Sequence, residues 1–518
     1  MARTRPDGDV DNFPGPLAPH PGRCLDVAGP CDAGRVTSGA RRAHRPWGVL
    51  LPGLALALLA AGCTSVLDRP ALPTPGAAGA GTGTAAPTTS VSITPVTPDG
   101  LLTGPGVTDG TIDLGVLADP ARDGGFTDGV RLWQRAVNSS GGLCGRSIGI
   151  RAAGDDGIPA DAAAAYRAVG TSVLGLLMLA SGPDAASGAG PSSGTGAAPA
   201  TDPAPTASPT GTTGAAGSAP APTSAETETG TGAADGTGTL AASIAADQIP
   251  TLMPTGSSAQ LGPTRPIVVG ATADILAVNG LQELLRTGAL AAGDTVGLLS
   301  DGSATARNVE QGARWWAREN GLELTIRDAG EAAAGWPEVQ AVVAPVAPST
   351  VATVLTAGPA VPVLTLADGF DPGSWPADAV TAAGQRLFVA TPAPAFGSDY
   401  PAAVTVSSLA AAIGPEDAGT VGARTLDGYA TGAAWGRLLT QACAERTLTR
   451  EGVWTAAGTV GPAPSTSLFG ASDPALPVQS ALPATRSSSL SRADPGAPTG
   501  LRSVTTLDEA PGLEDYRP

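Results

Sequence analysis

Short apolar runs alternate with helix-period segments over most of the chain after residue 107. Ile112-Asp113-Leu114-Gly115-Val116-Leu117 reads as a strand. Residues 129–139 follow as a helix with Val130, Trp133 and Val137 on one face, stopped by Gly141-Gly142. Ile148-Gly149-Ile150 opens a second strand, residues 160–169 form an alanine-rich helix, and 173–179 is the unbroken apolar run that a buried parallel strand needs. A short helix over 240–246 and the strand Thr251-Leu252-Met253 come next. A second series starts with Ile267-Val268-Val269. Strands are expected at 295–299, 322–326, 341–343, 361–364 and 387–389, and helices at 275–285, 304–319 and 350–356. Val309, Ala313 and Trp316 are spaced for one helical face. The end of the series is mostly helical, over 402–412, 427–444 and 449–456. Such alternation predicts doubly wound α/β sheets, and two series of this length predict two lobes.

Three stretches lack the pattern. Residues 64–107 and 183–238 are largely Ala, Gly, Pro and Thr, with too few large apolar side chains to offset the entropy of ordering. The first is expected to be a tether and the second a disordered insertion within a folded lobe. Its Gly230-Thr231-Gly232 reflects composition and is no nucleotide fingerprint. Residues 466–518 are also rich in Pro and Ser, but carry apolar runs fit for edge strands.

Near the N-terminus, Arg41, Arg42 and Arg45 precede an uncharged, mostly apolar run of 15 residues, Trp47 to Ala61, too short to span a bilayer and of the length of a signal h-region. It leads into Leu59-Ala60-Ala61-Gly62-Cys63. Small residues before a cysteine resemble the lipobox of bacterial lipoproteins. That resemblance implies cleavage before Cys63 and lipidation of its thiol, so that acyl chains hold the protein at a membrane. The alternative is an uncleaved signal anchor. Residues 1–40 are polar and Pro-rich with five Asp, unlike an export signal, and initiation is expected nearer Val36.

Composition narrows the chemistry. The 518 residues carry a formal charge of −17, and all 29 basic residues are Arg. Without Lys there is no P-loop lysine and no Schiff base. The two histidines, His20 and His44, both precede Cys63. The processed chain would hold none, which removes histidine-dependent hydrolysis and histidine metal sites. Removing 1–62 takes away 7 Arg and 5 acids and leaves 22 Arg against 41 acids, a poor balance for binding nucleic acid. No cofactor motif is present, and Asp155-Asp156 alone does not make a calcium site. Beyond Cys63, the processed chain has Cys144 and Cys443, which form either one bridge or two free buried thiols.

Several segments together resemble the branched-chain-amino-acid type of ABC-importer substrate-binding proteins. They are Val107-Thr108-Asp109-Gly110-Thr111-Ile112-Asp113-Leu114, Asn138-Ser139-Ser140-Gly141-Gly142-Leu143-Cys144-Gly145-Arg146, Gly154-Asp155-Asp156-Gly157, Gln248-Ile249-Pro250-Thr251-Leu252-Met253-Pro254 and Thr447-Leu448-Thr449-Arg450-Glu451-Gly452. The resemblance covers about 107–182 and 239–518. It implies a type I periplasmic-binding-protein-like fold, α/β in class, with two doubly wound lobes and a ligand cleft between them. The layout expected is signal and extension over 1–62, a tether over 63–107, lobe I over 108–265 and 393–462 with the insertion 183–238, and lobe II over 266–392 and 463–518. It places Cys144 and Cys443 near helix ends of one lobe, where a bridge is feasible.

The same resemblance nominates contacts. A serine-bearing loop after the third strand offers Ser181. The turn Pro254-Thr255-Gly256-Ser257-Ser258 offers Gly256 and Ser257; the serines of both loops otherwise merely cap turns and a helix. Thr305 stands where relatives commonly carry a tyrosine. Asp368, with Asp371 as its neighbour, matches the acid that grips a ligand ammonium; either is otherwise a solvated loop acid. The aromatic residues usual in the second lobe's cleft are missing from Ala344-Pro345-Val346-Ala347 and from Ser300 to Thr305. Trp315-Trp316 fits packing better than a sugar platform. The implied role is a lipid-anchored, extracytoplasmic, monomeric carrier. It takes a small polar, amino-acid-like ligand to an ABC permease and catalyses nothing. The rival is a degenerate sensor or cell-envelope interaction lipoprotein with the same fold.

Overall fold

The computed structural model describes residues 99–123, 125–179, 236–262, 266–333, 335–414, 419–472 and 483–518. Cys63, the export signal, Ser181 and nearly all of the insertion fall outside them.

β1 (Leu102–Thr103) is already part of the fold. Leu101 is buried, and the Leu102 N–H donates to the Arg446 carbonyl at 3.0 Å. The tether expected to reach 107 is therefore too long at its far end: Leu101 and this backbone pairing tie residues 101–107 to the fold. β2 (Thr111–Leu117), α1 (Phe126–Ser139), β3 (Ser147–Ala152), α2 (Ala162–Val169), β4 (Gly175–Met178), α3 (Gly236–Ala246), β5 (Thr251–Met253) and β6 (Ile267–Val268) follow. They build a parallel five-stranded sheet in the order β3-β2-β4-β5-β6.

Continuous apolar strands are explained by burial on both faces. Ile112, Leu114 and Val116 of β2 point into one core and Leu117 into another; Leu177 and Leu176 of β4 divide the same way. Expected as the start of lobe II, β6 instead pairs with β5, Leu252 opposite Ile267. An apolar run cannot specify which sheet it joins, and the crossing falls after Val269.

α4 (Ala273–Arg286), β7 (Thr295–Ser300), α5 (Ala304–Asn320), β8 (Glu323–Asp328), β9 (Ala341–Val343), α6 (Pro348–Ala357), β10 (Val363–Leu366), α7 (Ala377–Arg386) and β11 (Leu387–Thr391) form the second series. Its strands run β8-β7-β9-β10-β11, the same winding as the first sheet. Two cores flank it, one under α4 and α5, the other around α6 and α7. Trp316 is buried in the first and its indole N–H donates to Gln282 at 3.0 Å, while Trp315 packs on Tyr516 at 4.9 Å between ring centroids. The sequence pattern did not point to α7, since it buries only Ala379 and Ala383.

The chain crosses back after Pro392 into α8 (Pro401–Ile413), α9 (Thr425–Ala444), β12 (Thr447–Leu448) and α10 (Arg450–Thr459), all on the first sheet's side. β12 pairs with β1. β13 (Ser488–Ala493) and β14 (Leu501–Asp508) then extend the second sheet as an antiparallel edge hairpin beside β11. Residues 463–472, expected in lobe II, instead lay Leu468 and Phe469 into the first lobe's core.

α1 and α9 cross at glycines. A methyl on Gly129 would meet the Thr425 carbonyl, and one on Gly428 the Phe126 carbonyl. In an ordinary helix interior Gly→Ala gains about 1 kcal/mol. Here overpacking decides the sign, and Gly129→Ala is expected to lower stability by about 1–3 kcal/mol in thermal or urea unfolding.

The turn after α1 carries Cys144 at φ 53° between Gly142 and Gly145, both also at positive φ. Cys144 is bridged to Cys443 at the end of α9, with Cα atoms 6.2 Å apart and 299 residues between them in sequence. Closing so long a loop restricts the unfolded chain. Replacing both cysteines by serine is expected to cost about 2–4 kcal/mol, read as a lower unfolding midpoint matched by reductant on the parent.

Candidate functional site

In sheets wound this way, the loops at the carboxyl ends of the strands are where a ligand is received. The loops after β5, β7, β10 and β11 and the start of α9 converge on one small cavity. Thr255, Gly256, Thr305, Asp368, Pro392 and Arg424 are in its wall. Gly256, Thr305 and Asp368, three of the sequence-nominated contacts, thus come together from both lobes. The space left between these described residues is about 10 Å³.

Thr305 sits in the first turn of α5, whose N-cap Ser303 accepts the Ala306 N–H at 3.1 Å. Asp368 lies in the tight turn that ends β10. A Cβ on Gly256 would stand 2.6 Å from Gln260 Oε1, so a side chain there would displace the amide that accepts the Ser257 N–H. Ser257 is buried but does not line the cavity. Its hydroxyl accepts the Ala259 N–H at 3.2 Å, and its own N–H donates to Gln260 Oε1 at 2.8 Å. Both groups are engaged in a capping box, the alternative reading of this serine. Ser258 instead donates to the buried Asp274 and accepts from Asn308 Nδ2 at 2.8 Å. Asp155, the other acid singled out, pairs with Arg131 and accepts the Ala152 N–H at 2.9 Å.

The residue that the sequence reading missed is Arg424. It stands at the N-cap of α9, where a cation opposes the helix dipole, with Asp427 one turn on. That unfavourable position followed by an acid was the available signal. The Arg424 guanidinium is 5 % exposed, donates to Asp427 Oδ2 at 3.2 Å and makes an ion pair with Asp368 across the cleft. Asp123 adds a third carboxylate nearby. Desolvation alone would weaken the Arg424 cation, but the three carboxylates hold its pKa above the usual value. Asp427 receives only part of that shared charge, and burial pushes its pKa up to about 6 despite the pairing. Among the described residues, Arg424 thus lies close to three carboxylates, of which Asp368 is in the cavity wall and open to a ligand cation.

No sequence-family model matches the chain, and neither does any curated protein sequence. Solved structures do match in fold. One is a fatty acid ABC transporter substrate-binding protein from Thermomonospora curvata, at TM-score 0.61 and 22% identity over 81% of this chain and 97% of that one. A second is an ABC transporter substrate-binding protein from Aeropyrum pernix, at TM-score 0.52 and 16% identity over 78% and 97%. A third is a branched-chain amino acid ABC transporter from Thermus thermophilus with bound valine, at 0.50 and 15% over 78% and 97%. The fold of this chain is the type I periplasmic-binding-protein-like fold, shared with substrate-binding proteins of the branched-chain amino acid type.

Proposed function

We propose that the chain is an extracytoplasmic solute-binding lipoprotein, anchored through Cys63, that captures a small zwitterionic, amino-acid-like ligand and hands it to an ABC permease. The observation that carries this reading is the Arg424–Asp368 pair, which joins the two lobes at the carboxyl ends of their strands. A zwitterion satisfies both partners when it separates them. Its carboxylate takes the planar Arg424 fork and its ammonium takes Asp368, while Gly256 lets the backbone come close. In this reading the closed, empty form is held by the pair. The lobes hinge open at the crossings after Val269 and Pro392, and a ligand recloses them by replacing one ion pair with two. The solute-binding role named for the structural neighbours agrees with this reading. Ser181, three residues past β4 in sequence and outside the described residues, is proposed as a further ligand contact.

A thermal-shift panel of amino acids, amides and short peptides on the purified chain tests it. At least one zwitterion is expected to raise the unfolding midpoint by several degrees, as ligand linkage requires. Broad silence would favour the rival, a sensor or cell-envelope interaction protein. The small space in the cleft, about 10 Å³ between the described residues, is the observation on that rival's side.

A further inference from the structure

A larger cavity than the cleft lies in the first lobe, between α8, α9 and residues 463–472. It measures about 360 Å³ and shares no wall residue with the cleft cavity. Folded interiors hold few voids larger than a water molecule, so a space of this size is in the range of built ligand pockets. Val406, Ala430, Leu468 and Phe469 give it an apolar wall. An open groove of about 670 Å³ adjoins it along α9, and Tyr429, Ala433 and Arg437 belong to both.

Arg437 is the charged group at that junction, where Tyr429 is the other polar residue. Its guanidinium donates to the Gly461 carbonyl and forms no ion pair among the described residues. Burial alone acts on it, pulling its pKa down, in contrast to Arg424 with its three acids. Partial burial of a cation without a carboxylate is costly, and the fork retains N–H groups for a bidentate acceptor. Tyr429 lies eight residues earlier on the same helix, roughly 12 Å along its axis at 1.5 Å per residue. The wall therefore runs about two turns along α9. It is mostly apolar, with hydroxyls of Thr405, Thr466 and Ser467 in it and a cation near one end.

We propose that this pocket binds a medium-chain carboxylate, the alkyl tail between α8 and α9 and the carboxylate on Arg437. The tail is driven by burial of its methylenes, and the head group supplies orientation. The site is separate from the cleft and stands whether or not the cleft takes a zwitterion.

Calorimetric titration of the full chain with decanoate, below the concentration at which it forms micelles, tests this. One equivalent is expected to bind, and decanol at least tenfold more weakly. Arg437→Gln should bring decanoate down to the level of decanol, and Ala433→Phe, which fills the junction, should abolish binding of both. Folding of each variant is checked by circular dichroism. Thr305→Phe, which fills the cleft instead, should leave decanoate binding unchanged. The proposal is overturned if decanoate does not bind, if Arg437→Gln binds as tightly as the parent, or if Thr305→Phe abolishes the signal. That last result would place the acid in the cleft.

Discussion

Replacing Arg424 by alanine is expected to cost about 3–5 kcal/mol of stability at pH 7, the usual loss when one partner of a buried ion pair is removed. The size follows from what is left behind. Asp427 is 1 % exposed and loses the hydrogen-bonded cation that offsets its burial. The loss is expected to be smaller at pH 5. In the parent chain the folded pKa of Asp427 is about 6, above its unfolded value near 4. Between those values the folded state keeps a proton that the unfolded state releases. This group therefore favours folding at low pH, and that contribution is lost as pH rises through 6. Below 6 the carboxyl is already neutral and needs no partner, so removing Arg424 then costs less. Urea unfolding at both pH values reads this, and Arg424→Ala with Asp427→Asn should recover much of the loss. An equal cost at both pH values, or no recovery, would remove Asp427 as its cause.

Asp368→Asn is expected to do the opposite: little to stability, much to binding. The Asp368 side chain is 31 % exposed, and ion pairs with that much solvent are worth about 0–1 kcal/mol. A ligand ammonium, however, would be desolvated in the closed cleft and would have Asp368 as its direct partner. Losing one side of a buried, charged hydrogen bond costs 2–5 kcal/mol, roughly 30-fold to several-thousand-fold in affinity. Titration of the parent and Asp368→Asn with the strongest zwitterion of the panel measures it. Acidification should weaken the parent as well, since protonating Asp427 reduces the negative charge close to Arg424.

The two winding sheets were legible because parallel strands buried on both faces leave unbroken apolar runs, as in residues 173–179. Sheet membership was not, because Ile267 and Val268 look alike whether they end one sheet or begin another. α7 escaped because alanines that fill a tight space carry no periodic signal. In the cleft, glycine and acid positions could be nominated from loops after strands. Arg424 could not be assigned a role, since its meaning depends on Asp368, 56 residues away in sequence and in the facing lobe. Ser257 shows the reverse case, a residue of the right type in the right loop whose polar groups are used locally.

The most direct measurement is a crystal structure of the chain with the panel's strongest zwitterion. Electron density is expected between the Asp368 carboxylate and the Arg424 guanidinium, with that ion pair separated and the ligand enclosed by both lobes. An intact Arg424–Asp368 contact with the ligand bound elsewhere would contradict capture in the cleft.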